Sequence, residues 1–353
     1  MVKTPNMIFN INLTVIFVYL VLLTGCQTNQ KSNEQKHSGR FFSDDSFWNQ
    51  PIPENAETDP LSNHYISLLK KDHSKKNFGI NLYEYTIPIY EVDSTVPLVK
   101  VGNISHGRFN HFSDFDSLGV PIPPDFKPSP GNDQHATIID RNKKLAWDMF
   151  KVEKDSSGQW VSYTGIIVPL DGPGVLNKAD YPVKDDESIH KYGPSRAAGV
   201  PSFAGTIMYD DVVAGEINHK LACALRFVAL KEYVYPAIWT DGNYPGGVPE
   251  GSVIQLDPRL DLTQFDLLPG ELAVAKALQK YGMVVVDFAA GNVLYGEGLW
   301  IYPDKTWEGL LRDWDAGICS IPLDNYRVLK NDSIQTGGDR VKDFFQELLK
   351  NPE

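Results

Sequence analysis

A histidine within an alternating apolar run is the first candidate for acid–base chemistry. His219 lies in the run 217–227, where mainly apolar side chains occupy the odd-numbered positions. On a strand these positions share one face, because successive side chains point to opposite sides of a sheet. A histidine on such a face is either a buried core residue or a general base whose pKa is tuned by its surroundings. The other face carries Lys220 and Arg226, two cations that could contact acidic sugars.

A lone arginine among small residues is a second candidate. Arg196 lies in the segment 191–201, which is rich in glycine and proline and lacks the periodicity of a helix or a strand. Small neighbours allow a ligand to approach the backbone closely. A guanidinium grips a carboxylate or a sulfate through two parallel hydrogen bonds. We therefore expect Arg196 to bind an anionic group, the alternative being a solvent-facing arginine in a long loop.

Two β-rich runs, 136–141 and 145–152, are separated by turn residues and predict a hairpin. His135 precedes the first run, and Asp148 interrupts the second. A charged residue in an apolar row is either solvated at a strand end or placed for a purpose. Asp140 starts the turn, so solvation explains it, whereas Asp148 remains a candidate functional carboxylate.

An aromatic cluster at 233–239 is followed by polar residues and by Tyr244. Exposed aromatic rings stack on the apolar faces of sugars, and neighbouring polar groups bind the hydroxyls. Tyr233, Trp239 and Tyr244 are therefore candidates for substrate binding. In a β-rich fold the same side chains can instead pack in the core.

The composition and the missing motifs count against several function classes. The chain of 353 residues carries a formal net charge of -12, whereas proteins that bind nucleic acids normally show a basic surface. The sequence contains no Gly-Xaa-Ser-Xaa-Gly, no His-Glu-Xaa-Xaa-His, no phosphate loop and no dinucleotide fingerprint. Esterases, zinc proteases and dehydrogenases lose support, and we expect no cofactor. His135, Asp140 and Asp148 are too loosely spaced to predict a metal site.

The N-terminus has the layout of a secretory signal peptide, with a basic residue before a largely apolar run. The sequence Leu-Thr-Gly-Cys at 23–26 resembles the lipobox of bacterial lipoproteins, which implies loss of residues 1–25 and lipidation of Cys26. The polar residues 26–40 then predict a flexible tether. Gln27 resembles the pattern of sorting to the outer membrane. The alternative is a transmembrane anchor, although the run is short for a span of about 20 residues.

Residues 41–353 have room for one large domain, and they contain no internal repeat or low-complexity linker. Short β-rich runs between Gly and Pro predict a mainly β, antiparallel sandwich or jelly roll. The predicted strands are 83–90, 97–101, 136–141, 145–152, 160–169, 206–209, 217–227, 252–256 and 283–288. Helical periodicity is confined to 61–69, 270–281 and 341–349, so we expect only a few peripheral helices.

Two cysteines follow Cys26, namely Cys223 and Cys319. An oxidising compartment permits a disulfide between them. Cys223 lies among alternating apolar residues, however, and fits a buried thiol equally well.

Several segments taken together resemble a broad group of secreted bacterial carbohydrate-active proteins. They are 47–52 (FWNQPI), 135–148, 197–201 (AAGVP), 217–219 and 277–283. Within that group the chain most resembles the oligosaccharide dehydratases of marine ulvan-degrading bacteria, which remove water from ulvan oligomers to give an unsaturated sugar. The resemblance covers most of residues 41–287.

The resemblance implies β-elimination next to a uronate carboxylate. Removing the proton α to a carboxylate builds up negative charge, so the site needs a cation there, a base poised near neutral pH and an acid for the departing oxygen. This chemistry assigns His219 as the base, His135 as the acid or carboxylate partner, and Arg196 as the carboxylate clamp. The reserve candidates are Tyr209, Asp148 and Tyr233.

Three other functions remain open. A polysaccharide lyase would begin with the same proton abstraction but cleave the chain. A glycoside hydrolase would use paired carboxylates, with Asp148 and either Asp140 or Asp241 as candidates. A non-catalytic glycan-binding lipoprotein would depend on Trp239 and its neighbours.

Overall fold

The computed structural model describes residues 1–2, 38–72, 77–104, 111–112, 114–180, 195–314, 316–331 and 333–336. The expected signal peptide from residue 3, the lipidation site Cys26, the tether up to residue 37 and the predicted helix 341–349 lie outside the described residues. Within the described ranges, no helix is long and apolar enough to cross a bilayer.

The described chain contains short helices and many short strands. The helices are α1 (Ser62–Leu69), α2 (Phe115–Leu118), α3 (Tyr209–Ala214) and α4 (Pro269–Lys280). Single 3-10 turns are formed by Phe47–Asn49, Lys178–Asp180, Leu262–Gln264, Leu299–Ile301, Gly317–Ser320 and Leu323–Asn325. The first nine strands are β1 (Gly79–Asn81), β2 (Ile89–Glu91), β3 (Gly102–Asn103), β4 (His111–Phe112), β5 (Ala136–Asp140), β6 (Leu145–Phe150), β7 (Glu153–Lys154), β8 (Trp160–Ser162) and β9 (Thr164–Pro169). The others are β10 (Leu221–Leu225), β11 (Val228–Tyr233), β12 (Val248–Glu250), β13 (Val253–Leu256), β14 (Met283–Phe288), β15 (Val293–Tyr295), β16 (Tyr326–Val328) and β17 (Gln335–Thr336).

The strands form two large and two small sheets. The six-stranded sheet has the order β1-β15-β10-β14-β13-β16, and the five-stranded sheet has the order β2-β5-β6-β9-β4. The small sheets are β12-β11-β17 and β3-β8-β7. Strands hold 26% of the residues and helices 18%, so the fold is mainly β, as predicted.

The prediction of antiparallel sheets is wrong, because both large sheets are mixed. β10 lies parallel to β14, and β2 lies parallel to β5. Parallel neighbours require a long crossover, and the chain between β10 and β14 supplies one that includes α4. Local alternation of side chains carries no information about the direction of the neighbouring strand. The sequence therefore could not reveal that the sheets are mixed.

Several predicted elements are confirmed. The hairpin is present, with Thr137 of β5 directly opposite Asp148 of β6. Helix α1 falls within the predicted 61–69, and α4 differs from the predicted 270–281 by one residue at each end. Gly282, just after the end of α4 and with a φ of 72°, is the signal that predicted where the helix ends, and Pro269 occupies its first position.

Two predicted strands are wrong, and of the predicted strand 83–90 only residues 89 and 90 belong to a strand, β2. In place of a strand at 206–209, Ile207 makes one isolated bridge and Tyr209 begins α3. In the run 97–101, Val99 makes only an isolated bridge. Both runs are too short for alternation to specify a paired neighbour, so tertiary contacts decide their conformation.

The six-stranded sheet is buried on both faces. Along β10, Leu221, Cys223 and Leu225 enter the largest hydrophobic core, which also receives side chains of α4. Ala222 and Ala224 point the other way into a second core. The predicted alternation is therefore correct, with apolar packing on both sides.

No disulfide joins Cys223 to Cys319. Cys223 is buried, and that burial raises the pKa of its thiol. It packs as a small apolar side chain, which is the alternative that the sequence offered.

The folded body begins before residue 41. Gly39 N, which the sequence places in the tether, donates to Asp211 Oδ2 at 2.8 Å. Arg40 Nη1 donates to Asn218 O at 2.8 Å and to Asn49 O at 3.1 Å. Residues 38–40 are too polar to predict burial from composition, but their hydrogen bonds tie them to the body.

An ion pair between the buried Glu271 and the partly exposed Arg312 ties the chain after β15 to the start of α4. Glu271 is fully buried and accepts from Leu268 N at 2.7 Å, which caps the helix. Its other contacts are with Arg312, whose Nε and Nη2 donate at 2.8 and 2.6 Å. Removing one member of such a pair leaves the other charge uncompensated.

We predict that Glu271→Ala lowers the free energy of unfolding by about 3 kcal/mol. The matched control is Asp266→Asn, which removes an exposed partner of the same arginine and should cost less than about 1 kcal/mol. Urea denaturation of both variants measures the difference. Equal losses would contradict a dominant role for the buried pair.

Candidate functional site

The carboxylate of Asp148 is fully buried and accepts hydrogen bonds from three residues. Thr137 Oγ1 donates to Oδ1 at 2.8 Å from the neighbouring strand. Ser202 N donates to Oδ2 at 2.7 Å, and the hydroxyls of Ser195 and Ser202 donate as well. Asp148 therefore anchors the segment 195–202 to the five-stranded sheet.

The segment 195–202 is a tight loop, which we call the arginine loop. Gly199 has a φ of 71°, and its N–H donates to Arg196 O at 2.7 Å. Glycine adopts this left-handed conformation without steric cost. Val200 packs in the core of the six-stranded sheet, and the next apolar residue, Phe203, packs in a core of the five-stranded sheet.

The side chain of Arg196 is only 2% exposed and stacks on Tyr295. Nε donates to Ser202 O at 3.1 Å, and Nη2 donates to the same oxygen. Cζ lies 3.9 Å from the centre of the Tyr295 ring, and loss of water strengthens such a cation–π contact. Among the described residues no other acceptor engages this guanidinium, so its remaining N–H groups are available to an anion.

His135 interacts electrostatically with Arg196. Its ring packs 5.0 Å from the ring of Phe150, and its Nδ1 is buried without a hydrogen-bond partner in the described part of the chain. Burial first, and then the charge of Arg196, lower the pKa of His135 to about 3, against the opposing effect of the Met149 carbonyl. The imidazole is therefore neutral near pH 7, which excludes the imidazolium form that an acid role would need.

Tyr295 and Asp287 complete this group, and neither was predicted from the sequence. The hydroxyl of Tyr295 lies 3.5 Å from Asp287 Oδ2. Burial, with a further effect of the Asp287 carboxylate, raises the pKa of Tyr295, so the phenol stays protonated. We call Arg196, His135, Tyr295 and Asp287 the arginine centre.

A group of three carboxylates adjoins the arginine centre at Asp287. One oxygen each from Asp241, Glu250 and Asp287 lies within 4.8 Å of the other two. We call these residues the carboxylate cluster. Burial and mutual repulsion raise the pKa of Glu250, and burial raises those of Asp241 and Asp287.

The carboxylates considered for a glycoside hydrolase each have other partners in the structure. Asp140 is buried at the turn, where it accepts from Lys143 N at 2.9 Å, and Asp148 anchors the arginine loop. Asp241 joins the carboxylate cluster, whose oxygens are closer together than the roughly 5–9.5 Å between the carboxyl groups of glycosidases.

His219 lies apart from the arginine centre. It precedes β10, whereas Asp287 lies near the far end of the parallel strand β14, so the two occupy opposite ends of the strand pair. His219 is 1% exposed; Nδ1 is 2.8 Å from Lys220 O, and Nε2 lies 3.6 Å from Asp211 Oδ2. This environment matches the alternative of a buried core histidine.

The two cations near His219 have different surroundings. Lys220 is buried, and its Nζ donates to Phe47 O at 3.0 Å and to Gln50 O. Burial lowers the pKa of Lys220 to about 8. Arg226 is exposed and donates to Ala290 O at 3.0 Å, just beyond the end of β14. Only Arg226 is placed to meet a ligand from solvent.

The aromatic candidates are also divided between core and surface. Tyr233 is fully buried, and its hydroxyl contacts Lys178 Nζ. Tyr244 is half-buried. Trp239 is half-buried too, and its backbone N–H donates to Ala198 O of the arginine loop at 3.2 Å. Of the three, Trp239 has a contact with the arginine loop.

An open cleft of about 590 Å³ lies elsewhere on the body, and we call it the aromatic cleft. Tyr83 and Trp300 are 60% and 37% exposed there. The other principal lining residues are Tyr302, Trp307, Lys127 and Lys305. Aromatic walls with a few charged groups suit a ligand that has both apolar faces and polar groups.

Tyr209 lies beside the aromatic cleft. Its ring centre is 5.6 Å from that of Trp307, and Lys305 Nζ lies 5.0 Å from the ring centre. The structure therefore places this reserve candidate with the cleft residues.

The site residues that the sequence analysis missed differ in how clearly the sequence indicates them. Asp287 follows the apolar run 283–286, and Glu250 ends β12. Asp287 interrupts the apolar run 283–288, which is the signal that drew attention to Asp148, whereas an acidic residue at a strand end, such as Glu250, is explained by solvation. Tyr295 has no such signal, because a tyrosine at the end of a strand is common in any β-rich core.

Compared with protein-family models, with curated proteins and with solved structures, the chain matches none of them.

We predict that Asp148→Asn lowers the free energy of unfolding by about 2–3 kcal/mol, because charge-assisted hydrogen bonds to the arginine loop are lost. The loosened loop should also become a trypsin substrate at Arg196. Mass spectrometry of the digest would detect that cut. Asp140→Asn, at an equally buried carboxylate of the same hairpin, is the control and should leave Arg196 protected. Protection in both variants would contradict the anchoring role.

We predict that His135 makes the protein less stable in acid. Between pH 6.5 and 3 the unfolded chain binds a proton at this residue and the folded chain does not, so stability falls as the pH falls. His135→Gln is neutral in both states and should reduce the loss between pH 7 and 4.5 by about 2–3 kcal/mol. Denaturation at both pH values measures this. The exposed His64→Gln is the control, and identical losses in all three proteins would contradict the prediction.

Proposed function

We propose that the protein is a carbohydrate-active lyase that acts by β-elimination on uronic-acid-containing oligosaccharides of the ulvan type, removing water to give an unsaturated sugar. The observation that carries this proposal is the buried guanidinium of Arg196, stacked on Tyr295 and electrostatically linked to a neutral His135. A buried cation with free N–H groups suits a substrate carboxylate. The neutral imidazole of His135 is in the form that accepts a proton, and the protonated phenol of Tyr295 is in the form that donates one. A substrate carboxylate bound to Arg196 would offset the guanidinium charge that lowers the pKa of His135, and so would move the imidazole towards the range of a general base.

Each group has a defined part in the proposed reaction. Arg196 binds the uronate carboxylate and stabilises the charge that develops on it. His135 accepts the proton from the α carbon, which is a change from the base His219 implied by the resemblance. Tyr295 donates its proton to the departing β oxygen, and the reaction ends with a C=C bond and one water. Proton return from His135 to Tyr295 restores the enzyme, with no change in oxidation state.

The remaining surface supports an oligosaccharide substrate. Trp239 contacts the arginine loop and Arg226 is exposed near the end of β14, so both could extend the contact with an acidic sugar. The aromatic cleft offers exposed rings next to lysines.

The compartment and the finer architecture belong to the same proposal. A lipid anchor on Cys26 would hold the body at the cell envelope, with the outer membrane as its site, where polymer fragments arrive. We further propose that the two large sheets are layers of a β-sandwich. Packing of the arginine loop and Phe203 against both sheets supports this arrangement.

The test is a direct assay on defined uronate oligosaccharides. The wild type should produce ultraviolet absorbance from a double bond conjugated to the carboxylate, and mass spectrometry should find the loss of one water without shortening. Shortened unsaturated products would indicate a chain-cleaving lyase. Absence of any unsaturated product after long incubation would overturn the proposal.

Variants separate the two histidines. We predict that His135→Gln lowers kcat at least 100-fold, in the range expected for loss of a general base, whereas His219→Gln lowers it less than tenfold. Arg196→Lys should raise KM and lower kcat, because a lysine lacks the planar fork. Arg259→Gln replaces an exposed arginine outside the arginine centre. It is the control for losses that arise during expression and purification of a variant. A greater loss with His219→Gln than with His135→Gln would return the base to His219.

A non-catalytic glycan-binding protein is the second candidate, because the aromatic cleft alone could hold a sugar chain. Such a protein would bind the same oligosaccharides and leave their mass unchanged. Trp300→Ala would then abolish binding, whereas Arg196→Lys would leave binding intact.

A further inference from the structure

Three separate segments bring their carboxylates to one point in the body. Glu250 ends strand β12, Asp287 lies near the end of β14, and Asp241 lies in the loop after Trp239. One oxygen from each lies within 4.8 Å of the other two. Residues so distant in sequence share no local reason to be adjacent, so the tertiary fold alone creates this group.

The cluster is buried and poorly compensated. Glu250 is 0% exposed and Asp241 is 5% exposed, while Asp287 retains partial access to solvent. Among the described residues no lysine or arginine makes an ion pair with Glu250 or Asp241. Burying a carboxylate without a cation or a full set of donors is costly.

Two oxygens in the cluster lack donors altogether. Asp241 Oδ1 and Glu250 Oε1 are buried and accept no hydrogen bond from any described residue. Glu250 Oε2 accepts a long bond from Asp241 N, at 3.3 Å, and the Glu250 carboxyl also interacts with the side chains of Thr240 and Asp241. Asp287 accepts from Phe288 N at 3.0 Å and from Tyr295 at 3.5 Å. The unsatisfied oxygens therefore belong to the two most buried carboxylates.

We propose that Asp241, Glu250 and Asp287 bind one divalent metal ion of the hard, oxygen-preferring class, such as Ca²⁺, Mg²⁺ or Mn²⁺. Carboxylate oxygens are the ligands that these ions favour, and no imidazole or thiolate belongs to the cluster. The partly exposed Asp287 leaves a side open for water to complete the coordination shell. Three negative charges facing a double positive charge remove the repulsion within the cluster.

The state of the cluster without a cation follows from its burial. Desolvation and the neighbouring carboxylates raise the pKa of Glu250, because three charged carboxylates repel one another in this buried position. A bound cation removes that repulsion, since ligands of this class bind a metal in their deprotonated form.

The site adjoins the arginine centre without depending on the proposed reaction. Asp287 interacts both with Asp241 and with Arg196. An ion bound at the cluster draws the Asp287 carboxylate towards itself and weakens its hold on Arg196. The metal proposal can therefore hold even if the protein has no lyase activity, because metal binding is measured in the absence of any sugar.

The experiment uses the full chain, first stripped with a chelator. Isothermal titration with CaCl₂, MgCl₂ and MnCl₂ should reveal one ion per chain for at least one of them. The melting temperature should rise with the concentration of that ion, because the ion binds the folded state only. The variants Asp241→Asn and Glu250→Gln should weaken the affinity at least tenfold. Asp140→Asn, at a buried carboxylate outside the cluster, is the matched control and should bind as the wild type does.

Folding of the variants is checked in chelator. Replacing a carboxylate by its amide removes like-charge repulsion, so both variants should melt at or above the wild-type temperature without metal. If either variant fails to fold, the metal titrations of the wild type and of the Asp140→Asn control decide whether the protein binds one ion. No binding of any of the three ions to the wild type at millimolar concentration overturns the proposal. Unchanged affinity in folded Asp241→Asn and Glu250→Gln also overturns it, because the ion is then bound elsewhere.

Discussion

The carboxylate of Asp148 is the constraint on which the arginine centre depends. A buried carboxylate is tolerated when donors surround it, and here the donors come from Thr137, Ser195 and Ser202. Two of these residues lie at the ends of the arginine loop, so satisfying the charge also fixes the loop. The carbonyl of Ser202 then holds the guanidinium of Arg196 over Tyr295. One buried charge thus positions another without touching it.

The body contains buried carboxylates in three different states of compensation. Glu271 has an arginine partner and backbone donors, which makes it a structural joint. Asp148 has a full set of neutral donors, which makes it an anchor. Asp241 and Glu250 have no cationic partner among the described residues and each keeps one buried oxygen without a donor, which marks a place where the fold alone does not balance the charge. Residues of this last kind are where ligands and protons act, because their energy depends on what is bound.

The sequence predicted part of the site and misjudged its composition. Arg196 and His135 were chosen because of their type and neighbours, and the structure brings them into electrostatic contact. His219 was chosen on the same grounds, yet it lies at the other end of the β10–β14 pair. Alternation places a side chain on a face, but it does not say which end of a sheet another segment will cover. Tyr295 and Glu250 depend entirely on such long-range packing, so no local pattern could have linked them to Arg196.

By itself the sequence determined what short-range physics controls. Side-chain alternation predicted the β5–β6 hairpin and the apolar face of β10 that carries Leu221, Cys223 and Leu225, and Gly282 indicated the end of α4. Tertiary structure alone decided that the large sheets are mixed, that the chain from 38 to 40 belongs to the body, and that three distant carboxylates converge. Alternation and capping act over a few residues, whereas strand direction and the meeting of charges depend on which distant segments pack together. The sequence therefore indicated which residues have side chains capable of reaction. Only the packed fold decided which of those side chains lie close together.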